Sequence, residues 1–229
     1  MNSYYEAFIK RLSQYRIQLN LTQEKASQAL GITQSQLSKQ ELGRTIVPYK
    51  VLVRYSDMGW DIDYLFTGIR SERKASALAE RIDRAEAGNR LPLLKLAVWA
   101  LETGIARKCS EISMETKCEI DILRARAESE TNQTTLYEIR KIAGMPQLAM
   151  AEKLGVNIKK YRALEREETH PDAELLTEIY VMTGCKPSLF LTSGDTTSMI
   201  IDDLWSLLPA EQQKQIMAIM DQAEEFLGA

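Results

Sequence analysis

Apolar residues recur along this chain at helical rather than strand spacing. Over residues 4–19, Phe8, Leu12, Tyr15 and Leu19 fall on one face of a helix. Thr22 then stands where an N-cap belongs, and 23–30 follow as a second helix that Gly31 stops. Glycine takes positive φ without strain, so the chain can turn sharply there, and Thr33 can cap a third helix over 34–41. Leu42-Gly43-Arg44 breaks it. A fourth helix starts near Pro48 with Val51, Leu52 and Tyr55 inward, and a short fifth turn through Tyr64-Leu65-Phe66 ends at Gly68. No convincing period-2 run occurs, so the pattern predicts an all-α fold.

The same pattern returns further on. Sliding the chain by 124 positions superposes Leu12 on Leu136, Arg16 on Arg140, Gln23 on Gln147, Leu30-Gly31 on Leu154-Gly155, and Glu41 on Glu165. It also matches Thr45 to Thr169, Leu52 to Leu176, Met58 to Met182 and Leu65-Phe66 to Leu189-Phe190. One ungapped offset carries every match, which points to an internal duplication. The second set of helices is predicted over 135–143, 147–154, 158–165, 172–183 and 187–191. Two places differ: Pro146 replaces the capping Thr22, and Glu167-Glu168 replaces Gly43-Arg44. The expected organisation is a first unit at 1–70, a helical connector at 71–128, a diverged second unit at 129–194 and a helical tail at 195–229.

The connector and tail read as helices as well. Residues 71–87 place Ala75, Leu78, Ile82 and Ala85 on one face, and 93–105 are apolar around most of the circumference, so that helix needs burial. In the tail, a short apolar turn at Leu204-Trp205 and Leu207-Leu208 leads through Pro209 into a helix carrying Ile216, Ile219, Met220, Ala223 and Phe226. Two readings stay open for these faces: packing within the chain, or a homodimer interface through helices 91–105 and 209–227.

The string Thr22-Gln23, Leu30-Gly31-Ile32-Thr33-Gln34-Ser35-Gln36-Leu37-Ser38, then Glu41 and Gly43, resembles the helix-turn-helix family of Cro and lambdoid phage repressors, the Xre family. The resemblance covers 5–68 closely and 133–192 less closely. It implies two lambda-repressor-like helix-turn-helix domains and a transcriptional regulator, a repressor, of double-stranded operator DNA. The third helix would lie in the major groove, with Thr33, Gln34, Ser35, Gln36 and Lys39 near the bases, Gln23 on a phosphate and Arg44 on the backbone. In the second copy the corresponding contacts would be Gln147, Asn157, Lys159 and Lys160. There Ala163 offers no hydrogen bond to a base, and Glu167 and Glu168 would repel a passing phosphate. That copy is therefore expected either to touch DNA or to pack or recruit a partner. The resemblance also implies that Arg16 with Glu41, and Arg140 with Glu165, form structural ion pairs tying first helix to third.

Composition narrows the alternatives. Net charge is −3, but the four segments carry +3, +1, −1 and −6 in order, so polyanion affinity belongs to the first unit and the tail is acidic. The cysteines, Cys109, Cys118 and Cys185, are too few for a disulfide framework and unpaired as a zinc motif, so they read as buried free thiols. With His170 the only histidine, no two-histidine metal site exists; no cofactor and no enzymatic activity are expected. Ser193-Gly194-Asp195-Thr196-Thr197-Ser198 superficially resembles the serine region of self-cleaving phage repressors, but no strand-rich surround and no suitably placed base accompany it. No apolar run spans a bilayer and the polar start lacks a signal peptide, which predicts a cytoplasmic protein. The competing class is an antitoxin or other partner-binding regulator, whose second repeat and acidic tail would bind a basic protein.

Overall fold

The computed structural model describes residues 3–70, 73–108, 111–128, 133–192 and 195–228. Among these residues it is all helix. α1 (Ser3–Gln18), α2 (Gln23–Ala29), α3 (Gln34–Glu41), α4 (Tyr49–Asp57) and α5 (Ile62–Thr67) come first. Next are α6 (Ala77–Arg84), α7 (Ala87–Lys108) and α8 (Met114–Glu128). Then follow α9 (Thr135–Ile142), α10 (Gln147–Lys153), α11 (Ile158–Glu165), α12 (Ala173–Thr183) and a 3-10 turn at Pro187–Phe190. α13 (Thr197–Ser206) and α14 (Ala210–Gly228) close the described chain. No helix among the described residues is long and apolar enough to cross a membrane.

Two compact units divide these helices. One comprises Met1–Ser71, Met150–Met182 and Lys186–Thr192; the other comprises Glu72–Ala149, Thr183–Cys185 and Ser193–Ala229. Residues 129–194, expected as one domain, are thus shared between the units. In the first unit, Tyr5, Phe8, Ile9, Leu12 and Tyr15 of α1 are buried against Leu52, Tyr55, Leu65 and Phe66. Phe8 and Phe66 meet with ring centroids 4.4 Å apart, and Tyr15 and Tyr55 flank Trp60 at 5.0 and 4.5 Å. Leu19, expected inward, is exposed: α1 ends at Gln18 and Asn20 turns the chain at φ 55°.

The helix stops repeat with the sequence. At Asn20, Gly31 and Gly43 the backbone is left-handed, and in each case the next amide reaches back across the turn: Leu21 to Arg16 at 3.1 Å, Ile32 to Ser27 at 3.0 Å, Arg44 to Lys39 at 2.8 Å. At the same offset of 124, Gly144, Gly155 and Glu167 are left-handed, with Met145 bonded to Arg140 at 3.1 Å, Val156 to Ala151 at 3.0 Å and Glu168 to Ala163 at 2.9 Å. α10 and α11 begin and end at the positions that correspond to α2 and α3. Glu167 carries a Cβ where its counterpart is Gly43, and that conformation costs an L-residue roughly 1–2 kcal/mol. Glu167→Gly is therefore expected to raise stability by up to about 1 kcal/mol once glycine's own entropic cost is subtracted. Urea unfolding of the two proteins checks this, and a loss of stability would contradict it.

The second unit buries Leu93, Leu94, Ala97, Leu101 and Ile105 of α7, and Ile216 and Met220 of α14, within itself. Of the apolar faces that could meet a second copy, these residues are enclosed in the chain, while Trp99 of α7 and Ile219 and Phe226 of α14 stay exposed. Asp residues of the tail act as tethers. Asp203 takes two bonds from Arg73 at 2.8 and 2.6 Å, Asp202 accepts from the Ser76 amide at 2.8 Å, and Asp221 pairs with Arg81 at 2.6 Å. α9 joins this unit through Glu138, gripped bidentately by Arg126. Cys118 and Cys185 are buried and form no disulfide among the described residues, while Cys109 lies outside them, as do Ser193 and Gly194.

Asp195 sits just before α13, accepting from the Thr197 amide at 2.9 Å and the Thr197 hydroxyl, with Arg90 at 2.7 Å. Burial works to raise its pKa, but the Thr197 bonds, Arg126 and Arg90 outweigh it and hold the carboxyl below its ordinary 3.8. A depressed carboxylate stabilises the fold above its unfolded pKa and loses that contribution as pH falls through the folded value. The stability gap between wild type and Asp195→Asn should hold above about pH 4 and close below it. A gap constant through acid unfolding would contradict this.

Candidate nucleic-acid interface

The α2–α3 pair is assembled from local signals in the chain. The Thr22 hydroxyl accepts from the Lys25 amide at 3.2 Å and starts α2. Gly31, at φ 60°, makes the turn, with Leu30 wholly buried just before it. The Arg54 guanidinium of α4 donates to the Leu30 carbonyl and lies against Gly31, where an added Cβ would come within 2.7 Å of its Nη1. Glycine is thus required for its φ, and any larger residue would in addition have to push the Arg54 guanidinium aside. The Thr33 hydroxyl accepts from the Gln36 amide at 3.2 Å, while the Gln36 side chain accepts from the Thr33 amide at 2.9 Å. This reciprocal cap fixes the first turn of α3.

Leu37 anchors the inner face of α3 with no exposure, and Gln40 is buried beside it. On the outer face Thr33, Gln34, Ser35, Gln36 and Lys39 are exposed side by side, and Arg44 is exposed just past the turn at Gly43. Gln34 and Ser35 offer donors and acceptors from the first turn. Gln36 differs: its carbonyl oxygen is held by the cap. Thr33 likewise combines exposure with a capping role.

Beneath this face Arg16 binds Glu41 bidentately, Nε to Oε1 at 2.6 Å and Nη2 to Oε2 at 3.0 Å, and gives Nη1 to the Leu21 carbonyl at 2.7 Å. Only 12% and 5% of the two side chains is exposed. The bond to Glu41 raises the Arg16 pKa against the opposing pull of burial. Burial, and then the Glu41 charge, push the nearby Tyr55 phenol up, so it stays neutral. Gln23, read from sequence as a phosphate contact, donates Nε2 to Glu41 Oε2 at 2.8 Å and is half-buried. Its amide nitrogen is committed first to positioning α2 on the ion pair.

In the later segment, Asn157 caps α11 by accepting from the Lys160 amide at 2.8 Å, and Lys159 and Lys160 are exposed. Gln147 opens α10 and is half-buried. Arg140 and Glu165 are each buried; Arg140 donates to the Met145 carbonyl at 3.0 Å, and Tyr161 donates to Glu165 at 3.4 Å. Glu168, expected to repel phosphate, is partly offset by Arg166 at 2.9 Å on the surface. Sequence reading missed the Thr33-x-x-Gln36 capping box, whose spacing was visible, and Arg54, whose role depends on a fold contact.

Residues 12–58 match the model of a helix-turn-helix family, running from the middle of α1 to the end of α4. The chain therefore carries one helix-turn-helix domain of the kind found in DNA-binding transcription regulators. No curated protein and no solved structure matches this chain.

Proposed function

From a helix-turn-helix at 12–58 that exposes the first turn of its third helix, we propose that the protein is a sequence-specific regulator of double-stranded DNA, acting as a repressor, with α3 in the major groove. The observation that carries this reading is the pairing of two opposite faces on one short helix. Leu37 and the Arg16–Glu41 pair fix the inner face, so Gln34 and Ser35 project from a rigid support. Pre-positioned donors and acceptors are what direct base readout requires. Lys39 and Arg44 flank them, suited to phosphate rather than to bases.

Residues 133–192 are, in this reading, a second and diverged copy. Its support is the set of three left-handed stops and the coincident helix bounds at one offset. The antitoxin-type alternative draws on the acidic tail. Burial of Ile216 and Met220 and the Arg81–Asp221 pair build α14 into its own unit, which favours the DNA reading.

The test is selection of duplex fragments on the protein, followed by titration across salt. Lys39→Ala and Arg44→Ala should each weaken binding to selected and random duplexes alike and lower the salt slope by about 1. An unchanged slope in both variants would remove them from the interface, and failure to retain any duplex would overturn the function.

A further inference from the structure

Within the first unit, the segments at 47–63 and 170–188 meet. The Ala173 amide donates to the Val47 carbonyl at 3.0 Å. Tyr49 and His170 stack with centroids 4.1 Å apart and planes 15° from parallel. Asp63 accepts from both the amide and the hydroxyl of Ser188, at 2.9 and 2.7 Å. Ala173, Leu176 and Leu191 enter the same apolar core as Val51, Leu52 and Phe66.

The offset of 124 gives these contacts a meaning. Ala173 corresponds to Tyr49, His170 to Ile46, Ser188 to Tyr64 and Leu176 to Leu52. Position 47 therefore meets the counterpart of 49, position 49 the counterpart of 46, and position 63 the counterpart of 64. A head-to-tail arrangement brings one patch of a domain onto a different patch; only a two-fold arrangement brings a patch onto its own equivalent. Each contact here lies within three positions of self-pairing, as expected close to such an axis.

We infer that α4–α5 and α12 with its 3-10 turn mate about a local two-fold axis, forming an interface of the homodimer kind inside one chain. The partner that this surface takes is the second copy, and one chain is a complete reader of a DNA site with two unlike halves. One half is read by Gln34 and Ser35 of α3; the other is held by Lys159 and Lys160 of α11. The inference rests on the proposed DNA-binding function and on 133–192 being a second copy.

The experiment uses the full chain and duplexes selected from a random library. Native mass measurement at saturation should give one chain per duplex, with protection over two unlike halves about one helical turn apart. Inserting five base pairs between the halves should weaken binding at least about tenfold, because the second half then lies on the opposite face of the duplex and cannot be held at the same time. Lys159→Glu with Lys160→Glu should do the same on the whole site yet leave binding to an isolated α3 half within about twofold. Tyr49→Ala with His170→Ala, which trims only the rim of the interface, should lower affinity for the whole site and spare the isolated half. Two chains on a palindromic site would overturn the inference while leaving the DNA-binding function standing, as would wild-type affinity after the insertion or in the double-glutamate variant. Absence of any retained duplex would overturn both.

Discussion

Replacing Arg16 with methionine is expected to destabilise the helix-turn-helix at 12–58 by about 3–5 kcal/mol, the cost of leaving a buried carboxylate without its partner. Glu41 is 5% exposed and takes two of its three side-chain bonds from Arg16, so only Gln23 would remain to it. Against a typical domain stability of roughly 5–15 kcal/mol, that loss would leave a large unfolded fraction on mild heating. The double change Arg16→Met with Glu41→Leu should recover most of the loss, since an apolar pair can replace a buried ion pair at little cost. Urea titrations of the two proteins decide the matter. A single variant within about 1 kcal/mol of wild type, below the usual cost of an orphaned buried charge, would show that the pair does not clamp α1 to α3.

Changing Gln34 and Ser35 together to alanine should cost about 1–3 kcal/mol for each base that the side chains no longer read. Random-sequence binding should stay close to wild type. Both side chains are exposed on α3 and neither reaches the capping bonds of Thr33 and Gln36, so folding stability should move by no more than about 0.5 kcal/mol. That separation makes the experiment decisive. A double variant that still prefers selected over random duplex as strongly as wild type would end the assignment of α3 to base readout.

How much could be foreseen varied with the range of the interaction. α2, α3, α10 and α11 were legible to within a residue or so because their starts and stops are local: Thr22, Thr33 and Asn157 cap three of them, and Gly31 and Gly155 end α2 and α10. α8 was not foreseen. Its buried set includes Glu119 beside Cys118, Ile122 and Leu123, and a charged residue on the inner face breaks the apolar stripe that signals a helix. α13 was expected only as a short turn around 204–208, because Asp202 and Asp203 look solvent-facing in sequence; their partners Ser76 and Arg73 are distant in the chain. Arg54 was invisible for the same reason. Gln23 was assigned to a phosphate from resemblance alone, and its bond to Glu41 appears only when α2 and α3 are folded together. The assignment of α9 to the second unit likewise turns on Arg126 meeting Glu138, which no pattern within 129–194 contains.

On the proposed two-copy reading, the halves that the bond from Ala173 to Val47 holds together already lie on one polypeptide, and this bears on how the regulator would respond to dose. A reader built from two separate chains must first assemble, so its occupancy at low abundance falls with the square of protein concentration. When the mate is covalently attached, its effective concentration is set by the connecting chain and does not dilute. Occupancy then follows a simple hyperbola with unit Hill coefficient, and a few molecules per cell suffice to hold a site if the affinity is adequate. Such a regulator trades a sharp threshold for a graded output.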